Sequence, residues 1–243
     1  MKKAGTWVAV AIVAVAVGTL PAAGDFYSPG IPNGWDFNVP MTETALGSGI
    51  WEYTWTGTGD NPTTFDILSE AGNWDSKVYS AGNQWVTPDG SGGNTLILDT
   101  NPAGDGWFPD ANRVKVASES VTTWTAVGDW QNQVGGGDWD FANPNTAMSD
   151  LGGGIFGFTA TLAPGTYQYK AVKTGSWDAI GSDSRNVNAG NLAFTTTASL
   201  NQAEMLVDVL NGTVRVNVIP EPATLGLLAG GSLLMFVVRR LRR

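Results

Sequence analysis

The segment most informative about the fold lies in the second half of the chain and reads Pro164-Gly165-Thr166-Tyr167-Gln168-Tyr169-Lys170-Ala171-Val172. A proline–glycine turn signal is followed by residues typical of strands, and polar and apolar side chains then alternate. In a β-strand this alternation places one set of side chains on a core face and the other set on a solvent face. The pattern therefore predicts a half-buried strand.

Short alternating runs recur elsewhere, at residues 50–55 and 156–162. Gly, Asn, Asp, Thr, Ser and Trp are abundant between the termini, whereas the residues that favour long helices are scarce. Turn signals at residues 89–93, 163–165 and 211–212 separate the runs. Many short strands divided by glycine and proline predict an all-β protein built of β-sandwiches.

The charge of the chain limits its partners. Residues 25–219 hold 7 basic and 21 acidic side chains, which leaves a net charge of −14. Binding to nucleic acid rests on cationic contacts with phosphates. We therefore expect no nucleic-acid partner.

The sequence contains neither cysteine nor histidine. Apolar cores and strand pairing, rather than disulfides, must stabilise the fold. The lack of histidine removes the commonest general base and the commonest zinc ligand. We expect no enzymatic activity and no cofactor, with a divergent glycosidase using a carboxylate pair as the minor alternative. Asp138 and Asp140 are the nearest approach to such a pair.

The region between the termini is an internal duplication, in which matching segments follow in the same order at an offset of about 100 residues. The matches are 34–37 with 138–141, Met41 with Met148, 49–53 with 154–158, 64–65 with 166–167, 73–75 with 176–178, Asn94 with Asn191, and 114–116 with 214–216. Matches in one register predict two tandem immunoglobulin-like β-sandwich repeats, residues 25–117 and 122–219. Each is large enough for one modest core.

The second repeat resembles a known family over roughly residues 122–197. The segments that carry this resemblance are 128–131, 137–140, 162–170 and 175–178, which include Gly-Asp-Trp-Gln, Pro-Gly-Thr-Tyr-Gln-Tyr-Lys and Gly-Ser-Trp-Asp. They resemble the accessory β-sandwich modules of bacterial pullulanases and, more distantly, the glycogen-binding modules of starch-active enzymes.

This resemblance implies a carbohydrate site, in which aromatic faces, a lysine and an asparagine grip a glucan. Trp139 and Trp177 would be the two stacking platforms. Lys170 would donate hydrogen bonds to sugar hydroxyls, and Asn191 would be the polar partner on the following strand. The expected partner is thus a polysaccharide, either an α-glucan or an exopolysaccharide.

The first repeat carries part of the same set. Its matching residues are Trp35, Trp74 and Asn94. The lysine position falls on Ile67 or Leu68, so a complete site is not expected there. The alternative function is that of a structural or interaction protein of the cell envelope or biofilm matrix, with no sugar binding. Other tryptophans, at positions 51, 55 and 124, lie in alternating runs and are predicted to be structural.

One loop, residues 99–106, is rich in oxygen ligands and is a weak candidate for Ca²⁺ binding. Its spacing does not follow the twelve-residue helical calcium loop. A polar turn is the simpler interpretation, and no metal ligand is assigned.

The N-terminus has the three regions of a secretory signal peptide. Lys2 and Lys3 precede an apolar run at residues 7–20, and small residues follow at 22–24. The pattern predicts that residues 1–24 are a signal peptide and that the protein is exported.

The C-terminus, residues 220–243, has three parts. Pro220, Glu221 and Pro222 precede an apolar segment, residues 223–238, and the chain ends with Arg239, Arg240, Arg242 and Arg243 close together. The order resembles the PEP-CTERM sorting signal.

The resemblance implies a transmembrane helix at 223–238 that anchors a precursor transiently in the inner membrane, with the arginines in the cytoplasm. The processing partner would be an exosortase-type enzyme. The final location would then be the cell surface or the extracellular matrix.

Overall fold

A computed structural model describes residues 26–57, 63–79, 82–87 and 92–220. Throughout these ranges the regular structure consists of β-strands and short 3₁₀ helices, without an α-helix. The predicted all-β fold is confirmed. None of the helices in the described ranges has the length and apolarity needed to cross a membrane. The predicted signal peptide (1–24) and apolar segment (223–238) lie outside the described residues.

Fourteen strands follow one another in the described chain. Those of the first half are β1 (Thr42–Glu43), β2 (Ile50–Gly57), β3 (Thr63–Phe65), β4 (Gln84–Val86), β5 (Gly92–Asp99) and β6 (Arg113–Val116). Those of the second half are β7 (Trp124–Gly128), β8 (Ser149–Gly152), β9 (Ile155–Thr161), β10 (Gly165–Lys173), β11 (Ala179–Ile180), β12 (Leu192–Thr196), β13 (Gln202–Asp208) and β14 (Thr213–Ile219).

Two antiparallel sheets form the second half. One has the order β14-β13-β9-β8. In the other, β10 is central: β7 pairs with one edge, and β12 and then β11 pair with the opposite edge. Tyr169 and Ala171 of β10 are fully buried between the sheets, whereas Lys170 is only half-buried. The alternation predicted from the sequence is therefore confirmed.

The core of the second half lies between these sheets. Its largest buried members are Trp124, Trp130, Phe156, Tyr169, Ile180, Phe194 and Met205. Tyr169 also donates a hydrogen bond from Oη to the Leu206 carbonyl oxygen at 3.1 Å, which joins β10 to β13 across the core. Burial raises the pKa of the Tyr169 phenol well above its usual value, so the hydroxyl keeps the proton that it donates.

The first half consists of two separate sheets, a four-stranded one of order β1-β2-β5-β6 and a two-stranded one of β3 and β4. Its buried core contains Met41, Trp51, Trp55, Phe65, Ile67, Val86, Leu96, Leu98, Val114 and Val116. The burial of Trp51, Trp55 and, in the second half, Trp124 confirms their predicted structural role.

The β1-β2-β5-β6 sheet of the first half and the β14-β13-β9-β8 sheet of the second half have the same strand register. Trp51 pairs with Leu98, which pairs with Val114. In the second half the same places are held by Phe156, Val207 and Val214. Strand β5 therefore corresponds to β13. The match of segment 114–116 with 214–216 agrees with this register. The repeat boundaries at 25–117 and 122–219, and the immunoglobulin-like topology, stay predictions.

The two halves meet at a buried junction. Trp85 of β4 packs into the core of the second half, where its Nε1 donates to the Ala179 carbonyl oxygen at 2.8 Å. Arg185 lies with its guanidinium carbon 5.5 Å from the centroid of the Trp85 ring. It also pairs with Glu119 at 2.7 Å, and both of these side chains are fully shielded from solvent. A shielded ion pair thus closes the contact between the halves.

Substitution Glu119→Gln is expected to lower the free energy of unfolding by roughly 3–5 kcal/mol, because it leaves the Arg185 charge buried without its counter-charge. Chemical denaturation of the full-length chain, followed by tryptophan fluorescence, measures this loss. Lys115→Gln is the matched control, since Lys115 pairs with Asp99 at 2.7 Å where both side chains keep contact with solvent. It should cost about 0–1 kcal/mol. Equal losses in the two variants would contradict the role assigned to the junction.

Candidate functional site

The face of the β7–β10–β12 sheet that points away from the core, here called the outer face, carries a small apolar cluster. It consists of Val127, Val172, Ala179 and Ala189, with Trp139 and Phe141 packed against it. Val172 follows the inward-facing Ala171 on β10 and so lies on the outer side. The turn that bears Trp139 is therefore docked onto the outer face.

Backbone contacts hold Trp139 in place. Its N–H donates to the Gly128 carbonyl oxygen at 3.0 Å, and its φ of 59° lies in the left-handed region. Few residues other than glycine adopt this conformation, and it concentrates at functional positions. The strained backbone turns this indole toward the outer face.

Gln131 fixes the position of Asp140, which follows Trp139 in the same turn. Its side chain is fully buried; Oε1 accepts from the Asp140 N–H and Nε2 donates to the Asp140 carbonyl oxygen, both at 2.9 Å. The Asp140 carboxylate accepts from the Ala142 N–H at 2.9 Å, and that of Asp138 accepts from the Asn132 N–H at 3.0 Å. Both carboxylates thus hold turns. Sequence reasoning did not single out Gln131, although it follows Trp130 in a segment that carries the family resemblance.

Gly128 lets the turn approach the sheet. A Cβ atom there would lie 2.1 Å from the Gln168 carbonyl oxygen and 2.2 Å from Nε1 of Trp130. Neither the strand nor the buried indole can move freely, so only glycine fits.

Lys170 lies between two indoles. Its Nζ is 5.7 Å from the centroid of the Trp139 ring and 5.5 Å from that of Trp177. Trp177 is 44% exposed and stands edge-on to Phe141, with the ring centroids 5.1 Å apart. The distances to both indoles suit cation–π contacts. The arrangement combines a solvent-facing aromatic surface with a fixed positive charge.

Burial sets the electrostatics of this ammonium. Nζ donates to the Ala189 carbonyl oxygen at 3.1 Å. Desolvation lowers the pKa of Lys170, and the negative charge of Asp183 opposes that shift. Desolvation in turn raises the pKa of Asp183, while a hydrogen bond from the Gly190 N–H works against the rise.

Asn191 lies on the same face. Tyr169 pairs with Leu192, so the antiparallel register sets Asn191 across from Lys170. Its Nδ2 donates to Oε1 of Gln168 at 2.8 Å, and both side chains are exposed. The structure thus brings Trp139, Lys170, Trp177 and Asn191 to one face. Gln168 and Phe141 belong to the same surface, and sequence reasoning missed both.

The first half repeats the tryptophan arrangement. The Trp35 N–H donates to the Gly30 carbonyl oxygen at 2.8 Å, and its φ is 66°. Trp74, which begins the 3₁₀ helix Trp74–Ser76, is 38% exposed, and its ring centroid lies 6.2 Å from that of Trp35. Phe37 meets Trp74 edge-on at 5.9 Å. The two predicted tryptophans are therefore neighbours.

Asn94 does not join them. It lies on β5, where it is buried and shares an inward face with Leu96 and Leu98. Because β5 corresponds to β13, the match of Asn94 with Asn191, which precedes β12, is wrong. Both segments begin with asparagine before an apolar run, and the sequence offers no other sign of which sheet each one joins.

The lysine position was also misplaced. In the first half Gly30 pairs with Phe65, and Tyr27 pairs with Leu68. The equivalent pairs of the second half are Gly128 with Tyr169 and Thr125 with Val172. Counting from these pairs, the residue that corresponds to Lys170 is Asp66. The predicted residues, Ile67 and Leu68, are buried apolar side chains instead.

The loop at residues 99–106 gives no support to a calcium site. Asp105 pairs with Arg113 at 2.6 Å, and hydrogen bonds from this guanidinium lower the pKa of Asp105 to about 2. Asp99 pairs with Lys115. Basic partners therefore take the carboxylates that a cation would need. Across the part of the chain that the structure describes, no three acidic side chains converge as a metal site.

Comparison with known proteins agrees with the family resemblance. Residues 123–209 match the family model of the Pullulanase X25 domain, and this range includes all four site residues of the second half. The amylopullulanase of Thermoanaerobacterium saccharolyticum is 33% identical over 88 residues, which are 35% of this chain and 7% of that protein. The amylopullulanase of Thermoanaerobacterium thermosulfurigenes is 34% identical over 82 residues, 33% of this chain and 4% of that protein. The chain thus spans less than a tenth of these relatives.

Two solved structures are more distant. A pullulanase from Bacillus acidopullulyticus has 17% identity and a TM-score of 0.32, and the match covers 53% of this chain and 20% of that one. SusF from Bacteroides thetaiotaomicron has 17% identity and a TM-score of 0.31, with 83% and 49% covered. TM-scores of this size do not establish a common fold.

Substitution Gly128→Ala is expected to destabilise the protein by about 1–3 kcal/mol or more, because the new methyl group would overlap backbone and a buried indole. Urea denaturation of the full-length chain measures the change. The matched control is Gly137→Ala in the same turn region, where a Cβ would meet nothing within 4 Å. That variant should keep the stability of the wild type to within about 0.5 kcal/mol. A Gly128→Ala protein as stable as the control would refute the close approach.

Proposed function

We propose that the chain is a non-catalytic carbohydrate-binding protein whose second half binds an α-glucan on the outer face. Trp139 and Trp177 stack on sugar rings, and Lys170 and Asn191 meet their hydroxyl groups. The observation that carries the proposal is the ammonium of Lys170, held within 5.7 Å of two indole rings in a segment that matches the Pullulanase X25 domain.

The chemistry of a pyranose fits this surface. One face of the sugar ring is lined by C–H groups and its edge by hydroxyls, so a flat indole buries the face while amides and an ammonium meet the edge. By analogy with base stacking, one aromatic platform is worth about 1–3 kcal/mol. Each hydrogen bond adds about 1 kcal/mol. An ammonium has three N–H groups, and Lys170 uses one of them on Ala189.

The choice of α-glucan rests on the relatives, which are named amylopullulanases. An exopolysaccharide offers similar ring faces and is the second candidate polymer. A non-catalytic role is supported by the sequence, which has no histidine, and by Asp138 and Asp140, whose carboxylates accept hydrogen bonds that form turns. The alternative, a matrix or envelope protein that does not bind sugar, is an outcome of the test below.

The proposal includes the architecture and the route of the protein. Residues 25–117 and 122–219 would be tandem copies of one immunoglobulin-like sandwich. Residues 1–24 would direct export, and residues 220–243 would act as a PEP-CTERM signal that an exosortase-type enzyme processes at the inner membrane. The sandwiches would then reach the cell surface or extracellular matrix, where a sugar polymer is available.

Substitution Trp177→Ala is expected to weaken glucan binding by the second half about tenfold to a hundredfold, since it removes an exposed stacking face. Affinity electrophoresis of the full-length chain in gels containing pullulan, glycogen or exopolysaccharide measures the retardation. Any detergent used must lack a sugar headgroup.

The matched control for this test is Leu151→Ala, which removes an exposed apolar side chain from β8 of the other sheet. It should leave retardation unchanged. If no polymer retards the wild-type chain, the matrix alternative replaces the sugar-binding proposal. If Trp177→Ala and Leu151→Ala behave alike, the outer face is not the binding site.

Replacing Pro220, Glu221 and Pro222 together by alanine is expected to leave an unprocessed precursor in the inner membrane, because the processing enzyme would lose its recognition triplet. Immunoblots of membrane and surface fractions measure the ratio of precursor to processed product. Ile219→Ala, an exposed neighbour of the triplet, should be processed normally. Normal processing of the triple variant would contradict the sorting proposal.

A further inference from the structure

We propose that the first half carries a second α-glucan platform, formed by Trp35, Trp74 and Lys77, in which a lysine from a different position replaces the one that the duplication lost. The inference rests on the proposed function for the kind of ligand. It concerns a different surface, which is built from residues 35–77. These residues lie outside the segment matched to the Pullulanase X25 domain, which begins at residue 123.

The backbone frame of this platform is that of the second half. Trp35 is left-handed and hydrogen-bonded to Gly30, as Trp139 is to Gly128. Gly30 has no room for a side chain either, since a Cβ would lie 2.6 Å from Cβ of Phe65. The same strained turn is therefore held against a strand in the same way in both halves.

The aromatic surface is open. Trp74 is exposed to nearly the same extent as Trp177, and each is backed edge-on by a phenylalanine. Neither Trp35 nor Trp74 belongs to the apolar cores formed by the described residues. An indole that only stabilised the fold would be expected inside one of those cores. These two lie together beside solvent instead.

In the first half a lysine from a different segment supplies the positive charge beside the exposed indole. Asp66 stands where the second half has Lys170, and an acid there removes the ammonium from the strand. Lys77 lies on the adjoining segment, paired with Leu68 through a β-bridge. Its Nζ is 2.7 Å from Oδ2 of Asp66 and 5.5 Å from the centroid of the Trp74 ring. In the second half Lys170 stands at the same 5.5 Å distance from Trp177.

Burial divides the roles of this ion pair. The Asp66 side chain is 3% exposed, whereas that of Lys77 is 26% exposed. The carboxylate is thus an anchor that no ligand can reach, and the ammonium faces solvent beside the indole. Because an ammonium has three N–H groups and Asp66 engages one side of it, donors remain for sugar hydroxyls.

The first platform also has a counterpart of Asn191. Phe65 pairs with Gln84 as Tyr169 pairs with Leu192, so Asn83 stands where the second half has Asn191. Asn83 is partly exposed, so the two platforms offer the same kinds of group to a sugar.

Fluorine NMR can observe the two platforms separately. The full-length chain, labelled with 5-fluorotryptophan in a detergent without a sugar headgroup, is titrated with maltoheptaose. The resonances of Trp74 and Trp177 are assigned from Trp74→Phe and Trp177→Phe. We expect both resonances to shift and to saturate, and each curve to persist when the other tryptophan is replaced.

The outcomes separate the two proposals. A shift of Trp177 alone overturns the second platform and leaves the proposed function intact. A shift of Trp74 alone supports the second platform and overturns the assignment of binding to the second half. If neither resonance moves, both proposals fail.

The role of Lys77 has its own variant. Asp66→Asn/Lys77→Gln neutralises the pair together, so no buried charge is left without a partner. We expect the Trp74 curve to move to about fivefold higher ligand while the Trp177 curve stays unchanged, which also serves as the folding control. An unchanged Trp74 curve would show that the ammonium takes no part in binding.

Discussion

Strand β10 lies inside its sheet, paired along both edges. Successive side chains of a β-strand point to opposite faces, so those of β10 alternate between the core and the outer face. Tyr169 and Ala171 close the space between the sheets. Lys170 and Val172, one residue further on in each case, build the surface on which Trp139 rests. Because one strand supplies both sets, the packing of the core fixes the backbone position from which Lys170 projects.

The turn over this strand is held before any ligand arrives. Gly128 permits the approach, Gln131 binds both sides of the Asp140 backbone, and the left-handed Trp139 is the consequence. A surface ordered in this way spends little binding energy on arranging its own side chains, which matters for a weak ligand such as a sugar. The shielded pair of Arg185 with Glu119 similarly fixes one half against the other.

The two halves share a backbone frame around the tryptophans and differ in their charges. At the position of Lys170 the first half has Asp66, a buried acid whose desolvation raises its pKa, while the hydrogen bond from Lys77 counteracts the rise. A buried carboxylate requires such a partner. Through this pair, Lys77 from another segment lies with its Nζ 5.5 Å from the centroid of the Trp74 ring. Two different sets of residues thus place an ammonium beside an exposed indole.

Features that depend on neighbouring residues could be predicted from the sequence: the alternation of residues 165–172, the all-β class, and the repeated tryptophan turns. The family resemblance also named Trp139, Lys170, Trp177 and Asn191, which converge on one face. The pairing partners of each strand depend on contacts between residues far apart in the chain, so they could be read from the folded protein alone. The lysine position slipped by one residue, from Asp66 to Ile67 or beyond, and a slip of one residue moves a side chain to the opposite face of a sheet. The inward turn of Asn94 likewise follows from pairing with a distant strand, which no local pattern records.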